Sequence, residues 1–252
     1  MTAADVTFAA AVIAAVFFTG ISKGGFAGVG MIATPLMALV MQPVQAASVL
    51  LPVLLIQDVY SVIAYRKNFD GRNLAFLLPG ALVGIGLGYM LAAYLSQGMV
   101  SFAIGLIAIL FSLRSLLRRP NPLRRPASAD VAPGLFWGAV AGFTSMITHA
   151  GGPPFQIYVM PQRLSRDVFV GTGAVFFAVI NWMKVPPYLM LGQITGQTLT
   201  LSLILAPLAL VFTWVGIRLV RLVDTERFYL IAYSVLFCVG VKLCYDGLAF
   251  FF

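Results

Sequence analysis

Ser22-Lys23-Gly24-Gly25 and His149-Ala150-Gly151-Gly152-Pro153-Pro154 each interrupt a long apolar stretch, with their glycine pairs offset by 127 residues. Glycine and proline end one helix or start the next, so each site predicts a helix break leading into a short helical arm. The arms read as residues 26–41 and 153–161. Longer apolar segments surround them, at 5–22, 44–65, 73–95, 98–117, 132–149, 167–190, 197–220 and 228–251. A helix of about 20 apolar residues crosses the hydrocarbon core of a bilayer. The chain therefore reads as an all-α polytopic membrane protein with eight full-length helices and two short arms.

Composition agrees. Hydrophobic residues make up 61% of the 252 and charged ones only 10%, against about 25% charged in soluble domains. With a mean hydropathy of +0.98, no length remains for a soluble catalytic or ligand-binding domain. There is no P-loop, redox or haem motif and a single histidine, so no cofactor, no metal and no catalytic residue is expected, and the chain reads as a non-enzyme. Cys238 and Cys244, six residues apart on one apolar segment, form neither a disulfide framework nor a metal signature. Residues 1–22 contain no Lys or Arg and read as a retained first helix rather than a secretory signal.

Residues 118–130, RRPNPLRRPASAD, form a basic linker that divides the chain into repeat 1 (about 5–117) and repeat 2 (about 131–251) of one transmembrane domain spanning 1–252. Gly24-Gly25 matches Gly151-Gly152, Asp58 matches Asn181, and Gly71, Pro79, Gly88 and Arg114 match Gly196, Pro207, Gly216 and Lys242, at offsets of 123 to 128. Six matches in order argue for duplication. If the arms do not cross, the basic clusters fall on both sides of the membrane, against the positive-inside rule. If each arm runs back as the second limb of a broken hairpin, there are ten passes. Thirteen of the sixteen Lys and Arg then share one face, and both termini lie on the other. Five passes per half make the repeats inverted, as in many secondary transporters. The net charge of +8 then orients the chain and meets anionic lipid, and no nucleic-acid partner is implied.

In inverted repeats, broken helices at matching positions mark the substrate site. The expected substrate-binding residues are Ser22, Lys23, Gly24, Gly25, Thr148, His149, Gly151, Gly152 and Gln156. Helix N-termini, glycine backbone and a lysine together suit a small oxyanion. Asp58, His149 and Asn181 are candidates for coupling or gating, with a proton or cation as coupling ion. The competing readings are structural. Lys23 could snorkel to an interface, His149 could bond a freed carbonyl, and Asp58, otherwise a proton or cation carrier or the counter-ion to Lys23, could be a polar helix-helix contact. Lys184, just before Pro186-Pro187, is expected at the outer interface. Gly80, Gly84 and Gly88 read as a packing stripe.

The blocks GISKGGFAGVGMIATPLMALVMQPVQAASVLLPVLLIQD (20–58) and GFTSMITHAGGPPFQIYVMPQRLSRDVFVGTGAVFFAVIN (142–181), with the basic linker between them and Gly171-Thr172 in the second, resemble the sulfite exporter TauE/SafE family, also called the 4-toluene sulfonate uptake permease family. The resemblance spans nearly the whole chain. It implies a bacterial inner-membrane transporter of sulfite, sulfonates or thiosulfate, with export as the direction. His149 and Pro153-Pro154 follow a less glycine-rich lead than the commoner pattern. The expectation is a secondary transporter working by alternating access, with basic loops cytoplasmic and termini periplasmic. The alternatives are an anion channel and an intramembrane serine hydrolase built on Ser22 and His149.

Overall fold

A computed structural model describes residues 3–26, 28–92, 94–117, 127–219 and 225–249. Those residues form ten α-helices and no strand. They are α1 (Ala3–Gly24), α2 (Ala33–Ala38), α3 (Pro43–Tyr65), α4 (Gly71–Ala92), α5 (Gln97–Leu117), α6 (Val131–Thr148), α7 (Gly152–Val159), α8 (Arg166–Met190), α9 (Gly196–Leu219) and α10 (Thr225–Ala249). Short 3-10 turns, Val29–Ile32 and Met160–Gln162, extend the two arms. Seven of the helices are long and apolar enough to cross a membrane, and α10, of 25 residues, lies along α5. Most of the basic linker, residues 118–126, lies outside the described residues, as does Arg221.

The prolines within α3, α4, α8 and α9 do not end those helices. In lipid the main chain has no competing partner for its hydrogen bonds, so helix persists where water would break it. Lipid also removes the hydrophobic drive between helices, leaving close packing through small residues. A Cβ on Gly80 or Gly84 of α4 would lie 2.1 or 1.9 Å from the carbonyl oxygen of Leu135 or Ala139 on α6. Gly138 and Gly142 of α6 meet Leu77 and Ala81 of α4 in the same way. Gly20 and Gly24 of α1 press on α9 at Phe212 and Gly216, and Gly105 of α5 on α10 at Gly240 and Cys244. The small-residue stripe read in α4 is therefore one side of a two-sided seam.

These contacts also give directions. Gly80 meets Leu135 and Gly88 meets Met146, so α4 and α6 run parallel, and so do α1 and α9. Gly105 meets Gly240 while Gly247 meets Phe102, so α5 and α10 run antiparallel. Asp58 bonds Asn181 while the Tyr65 carbonyl lies against Gly171, so α3 and α8 are also antiparallel. Thr19 bonds Gln57 and Gly24 bonds Tyr65, so α1 and α3 are parallel. Parallel α1 and α3 require residues 25–42 to recross between them. The second arm likewise returns: Tyr158 donates to the Asp130 carbonyl at the start of α6, and the Ala127 amide to Pro161. Exchanging each helix for the one five places on maps the packed pair α1–α9 onto α6–α4, α3–α9 onto α8–α4, and α3–α8 and α5–α10 onto themselves.

Candidate anion site

The first break begins at Gly25, whose φ of 134° no L side chain adopts comfortably. Helix α1 stops there, and its last carbonyls are satisfied by side chains of α3: Tyr65 donates to Gly24 O at 3.0 Å and Ser61 to Lys23 O at 3.4 Å. The arm restarts after Gly28, φ 87°. Lys23 thus sits in the last turn of α1, at the negative end of the helix dipole, where a cation is favoured. The arm, expected from residue 26, begins at Val29, so Lys23 lies at the end of one helix rather than beside the N-terminus of the next.

Lys23 Nζ forms an ion pair with Asp58 Oδ1 and lies 5.4 Å from the centroid of Phe177. The other carboxylate oxygen of Asp58 accepts from Asn181 Nδ2 at 2.6 Å. Asp58 and Asn181, matched by position in the two halves, therefore bond to each other between α3 and α8.

At the second break His149 caps α6 in the left-handed conformation, φ 56°. Its Nε2 lies 2.8 Å from the carbonyl oxygen of Ala47, which can only accept, so Nε2 carries the proton. Nδ1 is left as acceptor for Lys184 Nζ at 2.6 Å. Lys184 also donates to Ser145 Oγ and O, at 3.0 and 3.2 Å. It is wholly buried, and among the described residues it has no carboxylate partner. The expectation that Lys184 reaches an interface is overturned. The signal was in the sequence: Lys184 follows Asn181 by three residues and shares its helix face.

Between the breaks lies a cavity of about 80 Å³, several times the ~10–15 Å³ that admits one water. Ser22, Lys23, Gly25, His149, Gly152 and Asn181 line it. Asp58 stands behind Lys23, bonded to it but off the cavity wall. Of each glycine pair one member packs and the other lines the cavity: Gly24 meets Gly216 and Gly151 meets Ala141, while Gly25 and Gly152 face inward. Thr148 is buried off the cavity and donates to Thr144 O at 3.0 Å. Gln156 fills the seam between the breaks, where a Cβ on Gly28 would lie 2.3 Å from its Nε2. Pro153 and Pro154 remove two amide donors from the first turn of α7, leaving Gly152 to present its N–H. Gly28, Ser145, Phe177 and Lys184 were not among the expected site residues.

A model of sulfite exporter TauE/SafE proteins matches residues 12–243. The chain belongs to the sulfite exporter TauE/SafE family. Neither a curated protein nor a solved structure matches it. TauE/SafE membership, with seven apolar helices of spanning length, makes it a multi-pass membrane transporter of sulfite or related sulfur anions. Lys23, whose ammonium lines the cavity, suits such cargo. A TauE/SafE site of this form is poorly arranged for serine hydrolysis. Ser22 and His149 share the cavity, but both imidazole nitrogens are engaged by Ala47 and Lys184, leaving none to take a proton from the hydroxyl.

Proposed function

We propose that the chain is a secondary transporter exporting a small sulfur oxyanion from the cytoplasm, by alternating access around the cavity between the two breaks. The observation that carries this is the bond between Asp58 and Asn181, which ties Lys23 on the cavity wall to both halves at once. Equivalent residues that bond each other straddle a two-fold axis. The exchange of packed pairs between halves, and the antiparallel course of α3 against α8 and α5 against α10, support an inverted repeat about that axis. The boundaries are those of the two halves, 5–117 and 131–251, within one domain. With the basic loops cytoplasmic, as positive-inside orientation requires, both termini are periplasmic and the membrane is the bacterial inner one.

In this mechanism the anion is bound by Lys23, the Ser22 hydroxyl, the Gly152 amide and, after a shift of its ring, His149. It competes with Asp58 for the Lys23 ammonium. A proton or cation taken up by Asp58 frees Lys23 for the anion, which couples the two fluxes. Asn181 then holds Asp58 in place in both states.

Saturable, concentrative sulfite flux in proteoliposomes tests the reading. Lys23→Ala should lower it by about 10- to 100-fold, the worth of a charge-assisted hydrogen bond. Lys242→Ala, which removes an equal charge from the exposed Lys242–Asp246 pair on α10, should leave it intact. Flux indifferent to Lys23→Ala would sink the site. A current that never saturates and builds no gradient would favour the channel.

A further inference from the structure

A second cavity, of about 30 Å³, lies at the arginine-free ends of α3, α4, α5 and α8, bounded by Val44, Ala92, Val100 and Gln193. Ala47, Met146 and Tyr188 form its inner wall. The central cavity lies on the other side of that wall and reaches Phe169 and Val170, in the first turn of α8 just past the exposed Arg166 of the basic end. The two linings meet at His149 and Ala47. His149 lines the central cavity and bonds Ala47 O, which belongs to the outer one. The imidazole stacks on Tyr188, 6.1 Å between centroids, and Tyr188 in turn donates to Met146 O at 3.0 Å.

We infer that His149 is the gate that closes the anion path at its arginine-free end, and that Lys184 is the positioning residue that holds this gate shut. A lone imidazole could turn about χ2 and lose Ala47. Lys184 prevents this by donating to Nδ1, which fixes both the tautomer and the ring angle that aim Nε2–H at the carbonyl. Ser145 anchors Lys184 to the same turn of α6 that ends at His149, so ring, lysine and helix end form one rigid unit. The residue driving the device is buried behind the ring and touches neither cavity. An anion in the central cavity opens the gate by drawing Nε2–H of His149 away from Ala47. The inference rests on the transporter reading, and its test does not depend on the cargo.

The experiment is side-specific labelling of Ala174→Cys, which lines the central cavity, in a chain with Cys238→Ser and Cys244→Ala. A membrane-impermeant thiol reagent is applied to right-side-out or inside-out vesicles. In the parent, labelling proceeds from the basic end and is at least about tenfold slower from the other. His149→Ala and Lys184→Met each raise the slow rate by about tenfold, the effect of losing a hydrogen bond worth roughly 1.4 kcal/mol, while basic-end labelling persists. His149→Gln, whose amide N–H can reach Ala47, keeps the asymmetry. An unchanged slow rate in both His149→Ala and Lys184→Met, with basic-end labelling intact, overturns the gate. Loss of labelling from both ends in all three variants also overturns it, since the network would then be a packing element. Absence of sulfite flux in a parent with normal asymmetric labelling would instead count against the transporter reading alone.

Discussion

Asp58 receives a lysine from α1 on one oxygen and an amide from α8 on the other, with its own carboxylate buried and only 10% of the Lys23 side chain exposed. Breaking a buried ion pair from one side leaves an uncompensated charge at a cost of about 3–5 kcal/mol, whereas replacing both partners with apolar residues of similar size is close to neutral. Lys23→Met and Asp58→Leu should therefore each lower the thermal midpoint in detergent. The double variant should recover most of that loss while remaining unable to move sulfite. Equal destabilisation by the double variant would mean that the site holds the fold together through some other contact. At this scale sequence reasoning found Lys23, Asp58, Asn181 and His149 as polar residues in apolar surroundings. It placed Lys184 wrongly, at the outer interface, because the burial of that face of α8 against Ser145 and His149 of α6 is a long-range contact.

Helix α4 carries glycines of two kinds. Gly84 faces α6, where an added Cβ would lie 1.9 Å from the Ala139 carbonyl oxygen, while Gly86 faces outward with nothing within 4 Å. Gly84→Ala must push two helices apart and should cost about 1–3 kcal/mol. Gly86→Ala removes only backbone freedom and should be neutral or stabilising by about 0.5–1 kcal/mol. Thermal melts of the two variants side by side check this, and matching midpoints would contradict the seam. The seam also accounts for the glycine pairs. Helical spacing shows that adjacent residues face different ways, but which of Gly24 and Gly25 meets α9 and which meets the cavity depends on where α9 lies.

The direction of every pass follows from the two arms. If they recross, the loops after α3 and before α8 share a side; if not, they are opposed. Lys67→Cys and Ser165→Cys, both exposed in these loops, should resist an impermeant thiol reagent in intact cells and react together after lysis. Gln97→Cys, exposed at the opposite end, should react without lysis. Opposite behaviour of Lys67→Cys and Ser165→Cys would restore the eight-pass arrangement. Much of this was legible in advance, since hydropathy, glycine and proline act within a few residues, and basic residues sort by side wherever they lie along the chain. Those signals determined the helices, the two breaks and the end of the molecule that gathers the described arginines. The tertiary structure alone decided that Asp58 meets Asn181, that His149 turns to Ala47 and that Lys184 stands behind it. Each is a contact between residues from 35 to 123 apart in sequence, and its geometry is set by how closely glycine-lined helices approach, which no local pattern encodes.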